Sequence, residues 1–164
     1  IENSSLERQT AENIAFKKQV QELRRRIRGS NSELNELNTQ LKYFKKGIQS
    51  YPGADLDWMK HVKAIEATAQ DLRILMWGDF HKSQRDVETL PGTAGRVENI
   101  ISDTWYSTSN PTNTNKEQYG IATEEYAGIR TSLDALKTEM QALEAKLDSK
   151  NIPYTPNHSN WKEE

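Results

Sequence analysis

Residues 119–147 read YGIATEEYAGIRTSLDALKTEMQALEAKL, and this stretch decides the fold class. Tyr119, Ala122, Tyr126, Ile129, Leu133, Leu136, Met140, Leu143 and Leu147 recur at spacings of three or four. A strand would need alternation by two, so this period specifies a long helix with one apolar seam. Thr114 and Glu117 form a capping-box pattern that predicts the helix start, while Asn151 and Pro153 predict its end, giving a helix over about 114–150.

The same period appears at the other end of the chain. Asn13, Phe16, Val20, Leu23, Ile27, Ser30, Leu34, Leu37, Leu41, Phe44 and Ile48 alternate by three and four, and nine of the eleven are apolar. A second capping-box pattern, Ser4 to Glu7, predicts a start near residue 5, and Tyr51-Pro52-Gly53 ends the helix near 49. Gly29-Ser30-Asn31-Ser32 interrupts the composition without shifting the register. One continuous helix is the preferred reading, because a single Gly costs only about 1 kcal/mol there. A helical hairpin broken near Gly29 is the alternative.

Two shorter helices lie between. Asp55 or Asp57 starts one over about 55–77, with Trp58, Val62, Ile65, Ala69, Leu72 and Met76 as its seam, Met59 and Leu75 widening it, and Gly78 closing it. Residues 79–92 lack periodicity and read as a loop. A helix over about 93–107 would then bury Val97, Ile100, Ile101 and Trp105. At 1.5 Å per residue the outer helices are roughly 67 and 55 Å long and the inner two roughly 33 and 22 Å. The inner helices could thus cover different lengths of the long pair. The expectation is an all-α, elongated antiparallel bundle of four helices over residues 1–151. Residues 152–164 form an extended tail. The chain opens on Ile1, which points to a segment of a larger protein.

Composition agrees with thin seams on long helices: 34% hydrophobic and 28% charged residues. Residues 1–50 carry 10 Lys/Arg against 6 Asp/Glu, and residues 51–164 carry 12 against 18. That asymmetry predicts a basic first helix lying against acidic later ones. Arg24, Arg25, Arg26 and Arg28 point around the helix and do not form one stripe, which argues against a nucleic-acid surface. No run approaches a membrane span. There is no Cys, which removes thiolate chemistry and leaves the redox compartment open.

Catalytic and metal constellations are not evident, and the expectation is no catalytic, cofactor or metal residues. A di-metal carboxylate bundle uses Glu-x-x-His pairs. The three histidines, His61, His81 and His158, have no Glu three residues before them. His61 follows Asp57 by four, a spacing that could share a metal, but no third ligand is evident and a surface pair is the plainer reading. Glu124, Glu125 and Asp134 lie outside the seam and read as a solvated face. Trp58, Trp105, Tyr119 and Tyr126 read as core. Trp77, Tyr106, Tyr154 and Trp161, at helix ends or in the tail, could form a docking surface or tuck the loops onto the bundle.

A further series of residues follows at characteristic distances: Gly78-Asp79, Gly95-Arg96-Val97, Asp103-Thr104-Trp105-Tyr106-Ser107-Thr108-Ser109, Asn110-Pro111-Thr112-Asn113-Thr114 and Ile152-Pro153-Tyr154-Thr155-Pro156. This series resembles the C-terminal helical region of large secreted bacterial proteins with sortilin-like (BNR, or Asp-box) β-propellers, often labelled glycosyl hydrolases. It spans Gly78 to Pro156. Residues 1–77 match only in heptad character and in the Pro-Gly-Ala-Asp break at Pro52–Asp55. The resemblance implies a non-catalytic helical module that packs on its own upstream propeller or holds another protein, in a secreted, periplasmic or cell-envelope setting. No Asp-box or propeller strand is present, so no site residue carries over. The alternative, from the seams themselves, is a free-standing coiled-coil interaction or oligomerisation protein.

Overall fold

The computed structural model describes residues 2–79 and 90–152, with side chains in the first helix from Thr10 onward. Among these residues there are four helices and no strand: α1 (Glu2–Ser50), α2 (Leu56–Trp77), α3 (Thr93–Thr104) and α4 (Asn113–Asp148). The described residues are all-α, as their periodicity requires. The tail from residue 153 and the loop residues 80–89, with His81, His158, Tyr154 and Trp161, lie outside the described residues.

α1 is continuous through Gly29 to Ser32, so the hairpin alternative falls. The unbroken register explains why. Ten of its eleven seam positions are buried, Ser30 included, and Leu37 is half-buried. Breaking the helix at Gly29 would sacrifice burial on both sides of the turn to recover one glycine's entropy. The N-terminal prediction is corrected: α1 begins at Glu2, ahead of Ser4, so the Ser4–Glu7 pattern does not mark its start.

Boundaries elsewhere follow backbone chemistry. The Ala54 amide donates to the Tyr51 carbonyl at 3.1 Å across Pro52-Gly53, a tight turn with Pro at its second position. Asp55 caps α2, its Oδ1 accepting from the Asp57 amide at 3.1 Å. Gly78 ends α2 with φ +89°, in the left-handed region that favours glycine. At the start of α4 the cap is Thr112, whose Oγ1 accepts from the Asn115 amide at 3.1 Å, two residues earlier than the predicted Thr114. Pro111, buried beside it, stops helix from propagating backward and hands the cap to the next hydroxyl. α4 ends in a Schellman arrangement: Ile152 N–H bonds Leu147 C=O, Asn151 N–H bonds Asp148 C=O, and Asn151 takes φ +51°.

The chain forms two compact units, and both long helices contribute to each. The first comprises residues 1–31 and 72–131. Phe16, Val20, Leu23 and Ile27 of α1 pack there with Ala94, Val97 and Ile100 of α3 and Ala122 of α4. Paired residues give the directions. Glu12 meets Lys116, the Phe16 ring meets Tyr119 edge-on at 5.7 Å, and Ser30 meets Tyr126 and Arg130. α1 and α4 therefore run parallel here. Lys17 reaches Ser107 while Arg24 reaches Glu98, so α3 runs antiparallel to α1. The antiparallel expectation holds for α3. It does not hold for α1 against α4, because the 105–112 connection reverses the chain after α3 and returns α4 along α1.

The second unit comprises residues 32–71 and 132–164. α1 and α2 form an antiparallel hairpin in it, with Lys45 on Glu66 and Tyr51 stacked on Trp58 at 6.4 Å. Leu34, Leu41, Phe44 and Ile48, Val62, Ile65 and Ala69, and Leu133, Leu136, Met140, Leu143 and Leu147 are its buried residues. Each unit thus takes one part of α1, one part of α4 and chiefly one of the short helices.

Candidate interaction surface

The polar groups that the sequence series singled out are engaged inside the first unit. Arg96 leaves α3 with its side chain only 13% exposed. Its Nε donates to Glu125 Oε1 at 3.2 Å and its Nη1 to Gln118 Oε1 at 2.8 Å, both on α4. Thr93 Oγ1 donates to the other oxygen, Glu125 Oε2, at 2.9 Å. Glu125, expected on a solvated face, is instead half-buried and holds α3 to α4 through both carboxylate oxygens. Its position beside the Tyr126 seam residue carried no signal for that, since the partner comes from another helix.

The opposite flank of α3 meets α1 through the reverse polarity. Glu98 accepts from Arg24 Nε at 2.7 Å and Arg24 Nη2 at 2.9 Å, with Arg28 at 3.4 Å. Arg25 and Arg26 instead bond Glu22 on their own helix. The four arginines therefore split by helix face, and all four have carboxylate partners. Lys45–Glu66 repeats the pattern of basic α1 on an acidic neighbour; Glu12–Lys116 and Glu33–Lys137 reverse it. The Arg25 guanidinium, followed by that of Arg26, holds the Glu22 carboxyl below its ordinary range, and Glu22 in turn raises Arg25.

The loop residues of the series are used locally as well. Asn13 donates to the Ser109 carbonyl and Lys17 Nζ to that of Ser107 at 2.9 Å, tying the α3–α4 connection to α1. Gly92 packs on the end of α2: a Cβ there would lie 2.4 Å from Gly78 N, 2.6 Å from Trp77 C and 2.7 Å from Met76 O.

No group of three or more His, Cys, Asp or Glu side chains converges among the described residues. Asp57 Oδ1 accepts from Lys60 Nζ at 2.8 Å, and His61 lies half-buried four residues on with no third ligand among the described residues. No described helix is long and apolar enough to cross a membrane.

Several large apolar side chains of the first unit stay in solvent. Leu75, Trp77 and Leu90 flank the α2–α3 junction, and Trp105 and Tyr106 follow α3, at 58% and 93% exposed. Two of these correct the core assignment. α3 ends at Thr104, which takes the buried position above Val97 and Ile100, and Trp105 lies about 80° around the helix from Val97. Leu75 is similarly one residue off the Leu72–Met76 seam. The Trp77 indole N–H donates to Asn31 Oδ1 at 2.9 Å. Trp and Tyr so placed are the residue types that anchor protein interfaces. Comparison with protein-family models, curated proteins and solved structures finds no match to this chain.

Proposed function

We propose that this chain is a non-catalytic C-terminal helical module of a secreted or envelope-associated bacterial β-propeller protein, of the kind labelled glycosyl hydrolase-like, and that it packs on its propeller or holds a partner protein. The observation that carries the reading is the set of exposed side chains Leu75, Trp77, Leu90, Trp105 and Tyr106. A second support is that the residues of the resemblance build the fold: Arg96 clamps two helices, Thr112 caps α4 and Gly78 ends α2. Such a series marks a module's architecture and leaves its contacts to the exposed aromatics.

The reading of a free-standing oligomerisation protein is less well supported. Its argument was the two strict seams, and their residues are buried within the chain. An oligomeric coiled coil needs a seam left open to another copy.

Two measurements test the proposal. The reading frame upstream of Ile1 is expected to encode a propeller. That propeller, expressed separately, is expected to bind this chain, and Trp105→Ala with Tyr106→Ala to weaken binding at least about tenfold, the loss of one interface anchor pair. A reading frame without a propeller sinks the idea. Light scattering that finds a stable oligomer at micromolar concentration favours the second reading.

A further inference from the structure

The seam of α4 repeats so regularly that its burial does not by itself specify which turn of α1 it faces. Sliding α4 by seven residues presents the same stripe from Tyr119 to Leu147. Nor do the connections settle it. α1 is tied to α2 by a five-residue turn and α3 to α4 by residues 105–112, but the two helix pairs are joined by the longer stretch 78–92. Something inside the first unit has to tell one register from its neighbours.

We infer that the Ser30–Tyr126–Arg130 polar layer is a register lock, a conformational device that holds α4 at one heptad position on α1. Ser30 sits in the α1 seam between Ile27 and Leu34 and is 2% exposed. Its Oγ lies 3.0 Å from Tyr126 Oη and accepts from Arg130 Nη1 at 3.4 Å. Tyr126 Oη donates to the Arg26 carbonyl, at 3.2 Å. The seam hydroxyl on each helix is thus matched by the other.

A slip of one heptad that carries α4 toward the start of α1 removes that match: Tyr126 would face Leu23 and Ser30 would face Leu133. The opposite slip sets Tyr126 against Leu37 and brings Ser30 opposite Tyr119. In the first slip the buried Ser30 hydroxyl loses Tyr126 and meets leucine, and a buried polar group without its partner is costly where an apolar pair is not. The layer therefore acts by penalising that slip, as a single polar residue in a coiled-coil seam does. Asn13 on the Ser109 carbonyl adds a second check near the start of α4.

The absence of Cys makes the test direct. Glu12→Cys with Lys116→Cys reports the native register, since these side chains meet at 2.8 Å. Glu12→Cys with Thr123→Cys reports a slip of one heptad, about 10.5 Å along the helix. A short bismaleimide is applied to each pair in the parent sequence and in Ser30→Leu/Tyr126→Phe. The parent is expected to link only the first pair. The apolar variant is expected to link the second as well, at about a tenth of the yield or more. Should circular dichroism show that variant unfolded, Ser30→Ala/Tyr126→Phe removes both hydroxyls without adding volume and is judged by the same criterion. Cross-linking confined to the native pair in a folded apolar variant overturns the proposal, as does slipped-pair linking of equal yield in the parent.

Discussion

Gly92→Ala and Gly29→Ala are the same chemical change, and the structure predicts opposite outcomes. Gly92 has φ −64° and ψ 164°, extended backbone that alanine adopts freely, so no conformational penalty enters. The cost is steric. A Cβ at Gly92 falls within 2.4–2.7 Å of three backbone atoms of residues 76–78. Ordinary contact needs about 3.5 Å, so the end of α2 and the start of α3 must part by about 1 Å. Backbone cannot rotate away as a side chain would, which places the penalty toward the upper end of overpacking, about 2–3 kcal/mol. At Gly29 nothing lies within 4 Å of the added carbon, and the residue is inside a helix. Alanine should gain about 0.5–1 kcal/mol there through lower unfolded-chain entropy. For a chain of this length each kcal/mol moves Tm by about 2–4 °C. Thermal unfolding followed by circular dichroism should place Gly92→Ala roughly 4–12 °C below the parent and Gly29→Ala roughly 1–4 °C above it. A Gly92→Ala variant as stable as the parent would refute the close approach of α2 to α3.

The remaining predictions concern polar contacts. Arg96→Ala should cost about 1–3 kcal/mol, because it strips a half-buried carboxylate of its cation, and a double-mutant cycle with Glu125→Gln should show coupling. Arg25→Ala, on the exposed surface, should lower the urea midpoint far less than Arg96→Ala, and equal losses at the two arginines would count against the α3 clamp. Thr112→Ala should cost about 1 kcal/mol by removing the α4 cap, whereas Thr114→Ala should be nearly silent; the reverse order in chemical denaturation would restore the downstream capping box. The Glu22 carboxyl should titrate by NMR below the ordinary carboxylate range, and Arg25→Ala should raise its midpoint. Because the folded-state pKa is depressed, the associated stabilisation is present above the unfolded value and is lost as pH falls through the folded one.

The helices themselves were legible in the sequence because each is encoded by a local period. Burial at Phe16, Val20, Ile27, Leu34, Leu133 and Leu143 follows from spacing alone, and so does continuity through Gly29, since the register does not slip. Asn151 and Gly78 announce helix ends by their tolerance of left-handed backbone. Other features needed a partner distant in sequence. Nothing beside Glu125 indicates Arg96, and nothing beside Trp105 says that Thr104 takes the buried position and leaves the indole in solvent. The parallel course of α1 and α4 in the first unit, and the polar layer at Ser30 and Tyr126, join residues about a hundred positions apart. A heptad is unchanged by a shift of seven residues or a reversal of partner. The sequence therefore determined which face of each helix is buried, and only the tertiary structure decided what that face meets.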